Sequence, residues 1–126
     1  MSHATAAAAY RQNAILTAPP EKLVKLLYEG AIRHLERSRA ALSDANATHS
    51  APAGESLGKA FSIVAELRSC LNHEKGGELS QNLERLYEFT LDQISAANVS
   101  RTPKPVENSL RVIRALKEGW DGIVPN

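Results

Sequence analysis

The sequence contains a single cysteine, Cys70, so no disulfide can form within one chain. Such sparse cysteine usage is typical of proteins that work in a reducing compartment. No run of apolar residues approaches the ~18 that a membrane span needs, and the first residues lack the basic start and long apolar centre of a secretion signal. The sequence therefore predicts a cytoplasmic protein without direct membrane insertion.

The sequence also lacks an excess of charge of either sign. The 15 Lys and Arg residues against 14 Asp and Glu leave a net charge of +1, which indicates no nucleic-acid partner. The histidines show no metal-binding spacing, and the glycine pair at 76–77 belongs to no phosphate-binding motif. No nucleophile has a base at a recognisable spacing. We therefore predict no enzymatic activity, no metal and no cofactor.

The sequence does contain apolar residues that recur at intervals of three or four positions. This period predicts four helices over about 20–42, 56–73, 78–98 and 104–121. The connections between them are polar or contain glycine and proline. The fold class predicted is all-α, an antiparallel up-and-down four-helix bundle over residues 20–122. An N-terminal arm over 1–19 precedes it and a short tail over 123–126 follows.

Several residues carry particular expectations about this bundle. Pro20 suits the first position of the first helix, where its missing N–H group costs nothing. Gly76 and Gly77 are expected to end the second helix, because glycine readily takes the left-handed conformation of a helix end. The polar stretch 43–55 is expected to be a flexible loop. The residues assigned to the inward-facing stripes include Leu23, Leu27, Phe61, Leu83, Leu86, Tyr87 and Trp120.

The stretch before the first helix differs from the rest of the chain. Tyr10, Ile15 and Leu16 are apolar residues without helical period, and the Pro19–Pro20 pair follows them. Such a segment can pack on the bundle or leave it, so we predict a displaceable flap. Gly30 then lies in mid-helix, where it costs about 1 kcal/mol relative to alanine. The close approach of either a neighbouring helix or a partner protein would explain why glycine occurs at this position.

The residues taken alone leave two classes of function open. A binding bundle would expose apolar side chains beyond those that one core uses. A generic helical adaptor or an oligomeric structural protein is the alternative. The absence of a sustained heptad repeat favours recognition of a helix in a groove over a coiled-coil seam.

Short motifs along the chain match a known pattern in order and spacing. They are Tyr10, Asn13, Ile-Leu-Thr at 15–17, Pro-Glu-Lys-Leu at 20–23, Leu-Tyr-Glu-Gly-Ala-Ile at 27–32, Glu-Lys-Gly-Gly-Glu at 74–78, Asn-Leu at 82–83, Leu-Tyr at 86–87, Ala-Ala-Asn at 96–98, and Val112, Leu116 and Trp120. In these motifs the sequence resembles the FliS family of flagellin-specific export chaperones over about residues 10–121. One departure is Pro19, which stands where the family usually has serine.

The resemblance implies a four-helix bundle that binds the disordered C-terminal segment of flagellin in apolar grooves. It implies that the protein prevents premature polymerisation and helps deliver flagellin to the export gate, with the gate component FlhA as a second partner. Whether the free protein forms a homodimer stays open. The resemblance also assigns roles to individual residues. It implies contact with flagellin, a place in the flap, or side-chain hydrogen bonds to backbone groups for Tyr10, Asn13, Ile15, Leu16, Thr17, Tyr28, Gly30 and Asn98. For Tyr28, packing in the core is the alternative.

Overall fold

The computed structural model of the chain describes residues 21–122. Four helices occupy them: α1 (Glu21–Leu42), α2 (Ala51–Ser69), α3 (His73–Ser100) and α4 (Lys104–Asp121). They form a ring in which α1 and α3 each pack against both α2 and α4. Because consecutive helices are neighbours joined by short connections, they run antiparallel. The predicted all-α four-helix bundle is thereby confirmed, and residues 21–122 contain no strand.

The core fills the centre of this ring. Its largest fully buried side chains come from all four helices: Val24, Tyr28, Leu35, Leu57, Leu67, Leu83, Tyr87, Ile94, Leu110, Ile113 and Trp120. Leu27 is partly buried and packs against this cluster. Cys70 is also buried, and burial raises the pKa of its thiol, with the Glu66 carboxylate adding to the effect. None of the helices in the described part of the chain is long and apolar enough to cross a membrane.

The start of α2 lies earlier than the sequence predicted, at Ala51 instead of about residue 56. Ser50 is its N-cap, with Oγ accepting a hydrogen bond of 3.2 Å from the amide of Ala53. Pro52 lies in the first turn, which tolerates proline. The prediction of a flexible loop over 43–55 is therefore wrong in its second half. The cap and the proline signal this start, but small, weakly apolar residues in the first turns hide the period.

The glycine pair does not end α2, contrary to the prediction. That helix ends at Ser69, and α3 begins at His73 with Asn72 as its N-cap. Gly77 lies inside α3 as a kink with φ 57° and ψ −133°, a conformation that glycine adopts without steric cost. The His73 side chain spans this kink, with Nδ1 2.9 Å from Ser80 Oγ.

Some residues of the predicted stripes are not buried. Leu23, Phe61 and Leu86 keep 45%, 38% and 37% of their surfaces exposed, whereas the predicted stripes place them inward. Each of the three is adjacent in the sequence to a fully buried residue. Its side chain therefore points about 100° around the helix axis from the direction that faces the core. The apolar stripes are thus wider than the strip that the neighbouring helices cover. Phe89, which lies off the stripe of its helix, is 43% exposed.

Two tyrosines connect α1 and α3 across the centre of the bundle. The Tyr28 and Tyr87 hydroxyl oxygens lie 2.6 Å apart, and neither side chain is more than 1% exposed. We expect Tyr28→Phe or Tyr87→Phe alone to lower the free energy of unfolding by about 1–3 kcal/mol, because the remaining buried hydroxyl loses a partner. The double variant should cost less than the sum of the two. Urea denaturation measures the free energy of unfolding of the unsubstituted protein, the two single variants and the double variant. Strictly additive losses would contradict a direct interaction between the two hydroxyl groups.

Candidate functional site

An apolar groove runs between α2 and α3, near the C-terminal end of α3. It encloses about 260 Å³ and is lined by Gly54, Leu57, Gly58, Phe61, Ile94, Ser95, Asn98 and Val99. Leu57 and Ile94 are buried and form its base, while Phe61 stands 38% exposed and Val99 85% exposed at its sides. Solvent-accessible apolar walls on a buried apolar base are the features of a peptide-binding groove.

Two glycines shape the α2 side of the groove. Gly54 and Gly58 are four residues apart and so lie on the same side of the helix. A Cβ atom added at Gly58 would meet no atom within 4 Å, so the space above this residue is open. The backbone of a bound segment can therefore come closer to α2 at Gly58 than any side chain would permit.

Arg101 holds the end of the groove in place. It caps α3 in the left-handed conformation, with φ 55° and ψ 41°. Its guanidinium donates to the carbonyl oxygens of Asn98 at 2.9 Å and Ser50 at 3.2 Å. Its own carbonyl accepts from Thr48 Oγ1 at 2.7 Å. These bonds tie the connection between α1 and α2 to the end of α3, and so fix the two walls of the groove relative to each other.

Gly54 makes room for this arrangement. A Cβ atom there would lie 3.2 Å from Arg101 Nη2, so a larger residue would push the guanidinium aside. Asn98 takes part through its side chain, whose Oδ1 accepts a hydrogen bond of 3.2 Å from the same Nη2. The expectation that the Asn98 side chain holds a backbone group stays a prediction.

The residues predicted for the site lie in three places. Tyr28 is only 1% exposed in the core, and Gly30 is buried where a Cβ would come within 3.2 Å of Ile63 Cδ1 on α2. A neighbouring helix thus occupies the space beside Gly30. Contact of Tyr28 or Gly30 with a partner protein stays a prediction. The remaining predicted residues lie outside the described part of the chain: Tyr10, Asn13, Ile15, Leu16, Thr17 and Pro20.

The sequence reasoning missed the groove itself. The four-residue spacing of Gly54 and Gly58 was the available signal, because glycines repeated on one side of a helix leave room for close approach. The exposed Leu86 and Phe89 do not belong to this groove. Neither side chain is among its lining residues, although both are partly exposed on the same helix.

A second, shallower groove lies between α1 and α2. Its lining comprises His34, Glu55, Gly58, Lys59, Ser62 and Ile63. The pKa of His34 lies below its ordinary value of 6.5, first because of burial and then because of the cations Arg33, Arg37 and Lys59. Its Nδ1 atom is buried and has no hydrogen-bond partner among residues 21–122. Burial and these neighbouring cations thus both disfavour the protonated form of the imidazole.

This lowered pKa predicts a dependence of stability on pH. The unfolded chain binds a proton at His34 more readily than the folded chain does, so stability is retained above pH 6.5 and falls below it. We expect His34→Gln to lose less of its free energy of unfolding between pH 7 and pH 5 than the unsubstituted protein. Urea denaturation at both pH values measures this difference. Equal losses in the two proteins would contradict the assignment.

The fold and the first groove together define a class of protein, a four-helix bundle with an apolar groove on its surface. Within residues 21–122 no group of three or more His, Cys, Asp or Glu side chains could hold a metal ion.

Comparison with known proteins identifies the family. The family model described as "Flagellar protein FliS" matches residues 2–126. The chain is 41% identical to the flagellar secretion chaperone FliS of Vibrio cholerae over 108 residues, which are 86% of this chain and 77% of that protein. It is 35% identical to FliSB of Pseudomonas aeruginosa over 84% of this chain and 82% of the relative. For FliS of Salmonella typhimurium the identity is 31%, over 90% and 83% of the two chains.

The chain therefore belongs to the FliS family of flagellar secretion chaperones. The resemblance seen in the sequence is confirmed. So is the prediction that the protein is not an enzyme, because this is a family of chaperones.

Proposed function

We propose that this protein binds the disordered C-terminal segment of flagellin in the groove between α2 and α3. In this role it works in the cytoplasm, prevents premature polymerisation and assists delivery of flagellin to the export gate, with FlhA as a partner there. The observation that carries the proposal is the groove itself, whose lining includes the open surface at Gly58 and the exposed side chains of Phe61 and Val99.

The physical argument concerns how such a segment gains affinity. A disordered chain loses conformational entropy when it becomes ordered, so the apolar contacts in the groove have to offset that loss. An amphipathic helix meets this need because its apolar side chains occur every three or four residues and fit between two bundle helices. We therefore propose that the segment gains helix as it binds.

The flap over Tyr10, Ile15 and Leu16 is the second element of the proposal. A flap that covers apolar surface in the free protein protects it from association. It also lowers the apparent affinity for flagellin, because only the open fraction of the protein binds. In this proposal Asn13 and Thr17 hold backbone groups of the flap through their side chains.

Calorimetry with the synthetic C-terminal segment of the host's flagellin tests the proposal. We expect binding with a large negative heat-capacity change and a rise in helical circular dichroism beyond the sum of the separate components. A scrambled segment of the same composition is the control. The alternative, a generic adaptor or an oligomeric structural bundle, predicts no preference between the two peptides, and equal binding of both would refute the proposed function.

A further inference from the structure

One end of the groove between α2 and α3 is built from the terminal turns of the two helices. Gly54 lies in the first turn of α2. Asn98 and Val99 lie in the last turn of α3, which ends at Ser100. Terminal turns contain backbone groups without a partner inside the helix, so they open more readily than the middle of a helix. The walls at this end of the groove therefore depend on contacts made from outside the two helices.

Arg101 makes such contacts with both helix ends. Its guanidinium donates to the Ser50 carbonyl before α2 and to the carbonyl and Oδ1 of Asn98 in α3. Its amide donates to the Ala97 carbonyl at 2.8 Å, which closes the last turn of α3. The guanidinium also lies beside Gly54, as the 3.2 Å from an added Cβ to Nη2 shows. Arg101 is not among the lining residues, so it acts on the groove through the two walls.

The backbone of Arg101 points to a role for its side chain. Its φ of 55° is the left-handed conformation, which is unfavourable for every residue that has a Cβ atom. Glycine would adopt this cap without that cost. An arginine that keeps an unfavourable backbone conformation is explained by the hydrogen bonds of its guanidinium.

Thr48 extends the same arrangement to the connection between α1 and α2. Its Oγ1 donates to the Arg101 carbonyl at 2.7 Å, in a bond that is partly buried. Thr48 does not line the groove. Its hydroxyl therefore acts on the groove through Arg101.

We propose that Arg101 and Thr48 are positioning residues for segment binding, which hold the two helix ends in the bound arrangement before the segment arrives. This inference rests on the proposed function and adds to it the residues that preorganise the site. A groove whose walls are already ordered loses less conformational entropy on binding, so its affinity is higher without any further contact. The connection between α1 and α2 is thereby coupled to the affinity of a groove that it does not line.

The first test uses the free protein. Arg101→Gly keeps the left-handed cap available and removes the guanidinium hydrogen bonds. We expect the amides of residues 98–100 to exchange their hydrogens about tenfold faster than in the unsubstituted protein, because the last turn of α3 opens more often. The amide of Tyr87, further inside α3, should keep its rate. Nuclear magnetic resonance measures each amide separately, and circular dichroism checks that the variant is folded.

The second test measures affinity for the C-terminal segment of the host's flagellin by calorimetry. Arg101→Gly should weaken binding about tenfold, and Thr48→Val should weaken it severalfold. Arg101→Lys keeps the charge but not the planar set of donors, so it should bind almost as weakly as Arg101→Gly. Ser43→Ala is the matched control for Thr48, since it removes a hydroxyl from the end of α1 that bonds only back to the Arg39 carbonyl. It should leave the affinity unchanged.

Gly54→Ala separates an effect through Arg101 from a direct effect on the segment. In the unsubstituted protein the added methyl group displaces the guanidinium and should weaken binding. In the Arg101→Gly background there is no guanidinium to displace, so Gly54→Ala should cause no further loss. Equal losses in both backgrounds would count against the role of Arg101.

The possible failures are distinguishable. If the unsubstituted protein did not bind the segment, the proposed function would be wrong and this inference with it. If the segment bound the unsubstituted protein, Arg101→Gly and Thr48→Val equally tightly, flagellin binding would stand and the positioning role would be overturned. Unchanged exchange of amides 98–100 in Arg101→Gly would overturn it as well.

Discussion

Gly58→Leu is expected to lower the affinity for the flagellin C-terminal segment roughly a hundredfold, or ~2.7 kcal/mol. The leucine side chain would fill the open space above α2, where a bound backbone is proposed to approach most closely. The bundle should remain folded, because a Cβ at this position meets no atom within 4 Å. Its stability should rise by about 0.5–1 kcal/mol, since leucine is the better helix former. Calorimetry and urea denaturation measure the two effects.

Arg111→Leu is the matched control for this substitution. It also introduces an exposed leucine, but on α4, which does not pack against α2. We expect its affinity for the segment to equal that of the unsubstituted protein. The groove assignment would be contradicted if Gly58→Leu bound as tightly as the control.

Trp120→Ala is expected to lower the free energy of unfolding by about 3–5 kcal/mol, because it leaves a large cavity in the core. Trp120 is only 1% exposed although it lies in the last turn of α4. A loss of this size is a large part of the 5–15 kcal/mol that is typical of a whole domain. Trp120→Phe, which keeps an aromatic ring, should cost clearly less.

Urea denaturation followed by circular dichroism measures these variants, since the substitutions remove the only tryptophan. A loss below about 1 kcal/mol for Trp120→Ala would show that the end of α4 frays and adds little to the core.

The helices could be predicted from the sequence because their apolar residues repeat with the helical period. Tyr28, Leu83 and Tyr87 are buried, and the stripes that contain them determine which side of each helix faces inward. The start of α2 could not be predicted in this way, since its first turns contain small, weakly apolar residues that hide the helical period, although Ser50 caps them. Gly77 was misassigned because glycine with a positive φ occurs in kinks as well as at helix ends.

The candidate site was harder to predict for a physical reason. A groove depends on how much of each apolar stripe the neighbouring helix leaves uncovered, and periodicity does not contain that information. Phe61 is on a predicted stripe yet exposed, and Val99 lies where a helix end was expected. The hydrogen bonds of Arg101, which fix the groove, join residues that are about fifty positions apart in the sequence. Only the folded chain brings these residues together.

A titration of the isotope-labelled protein with the flagellin C-terminal segment, followed by nuclear magnetic resonance, tests the central proposal most directly. The account predicts that the amide signals of Gly54, Gly58, Phe61 and Val99 shift together and saturate with added segment. Signals of the exposed residues of α4, such as Arg111, should stay unchanged. Shifts confined to α4, with the Gly58 and Val99 signals unmoved at saturation, would contradict it.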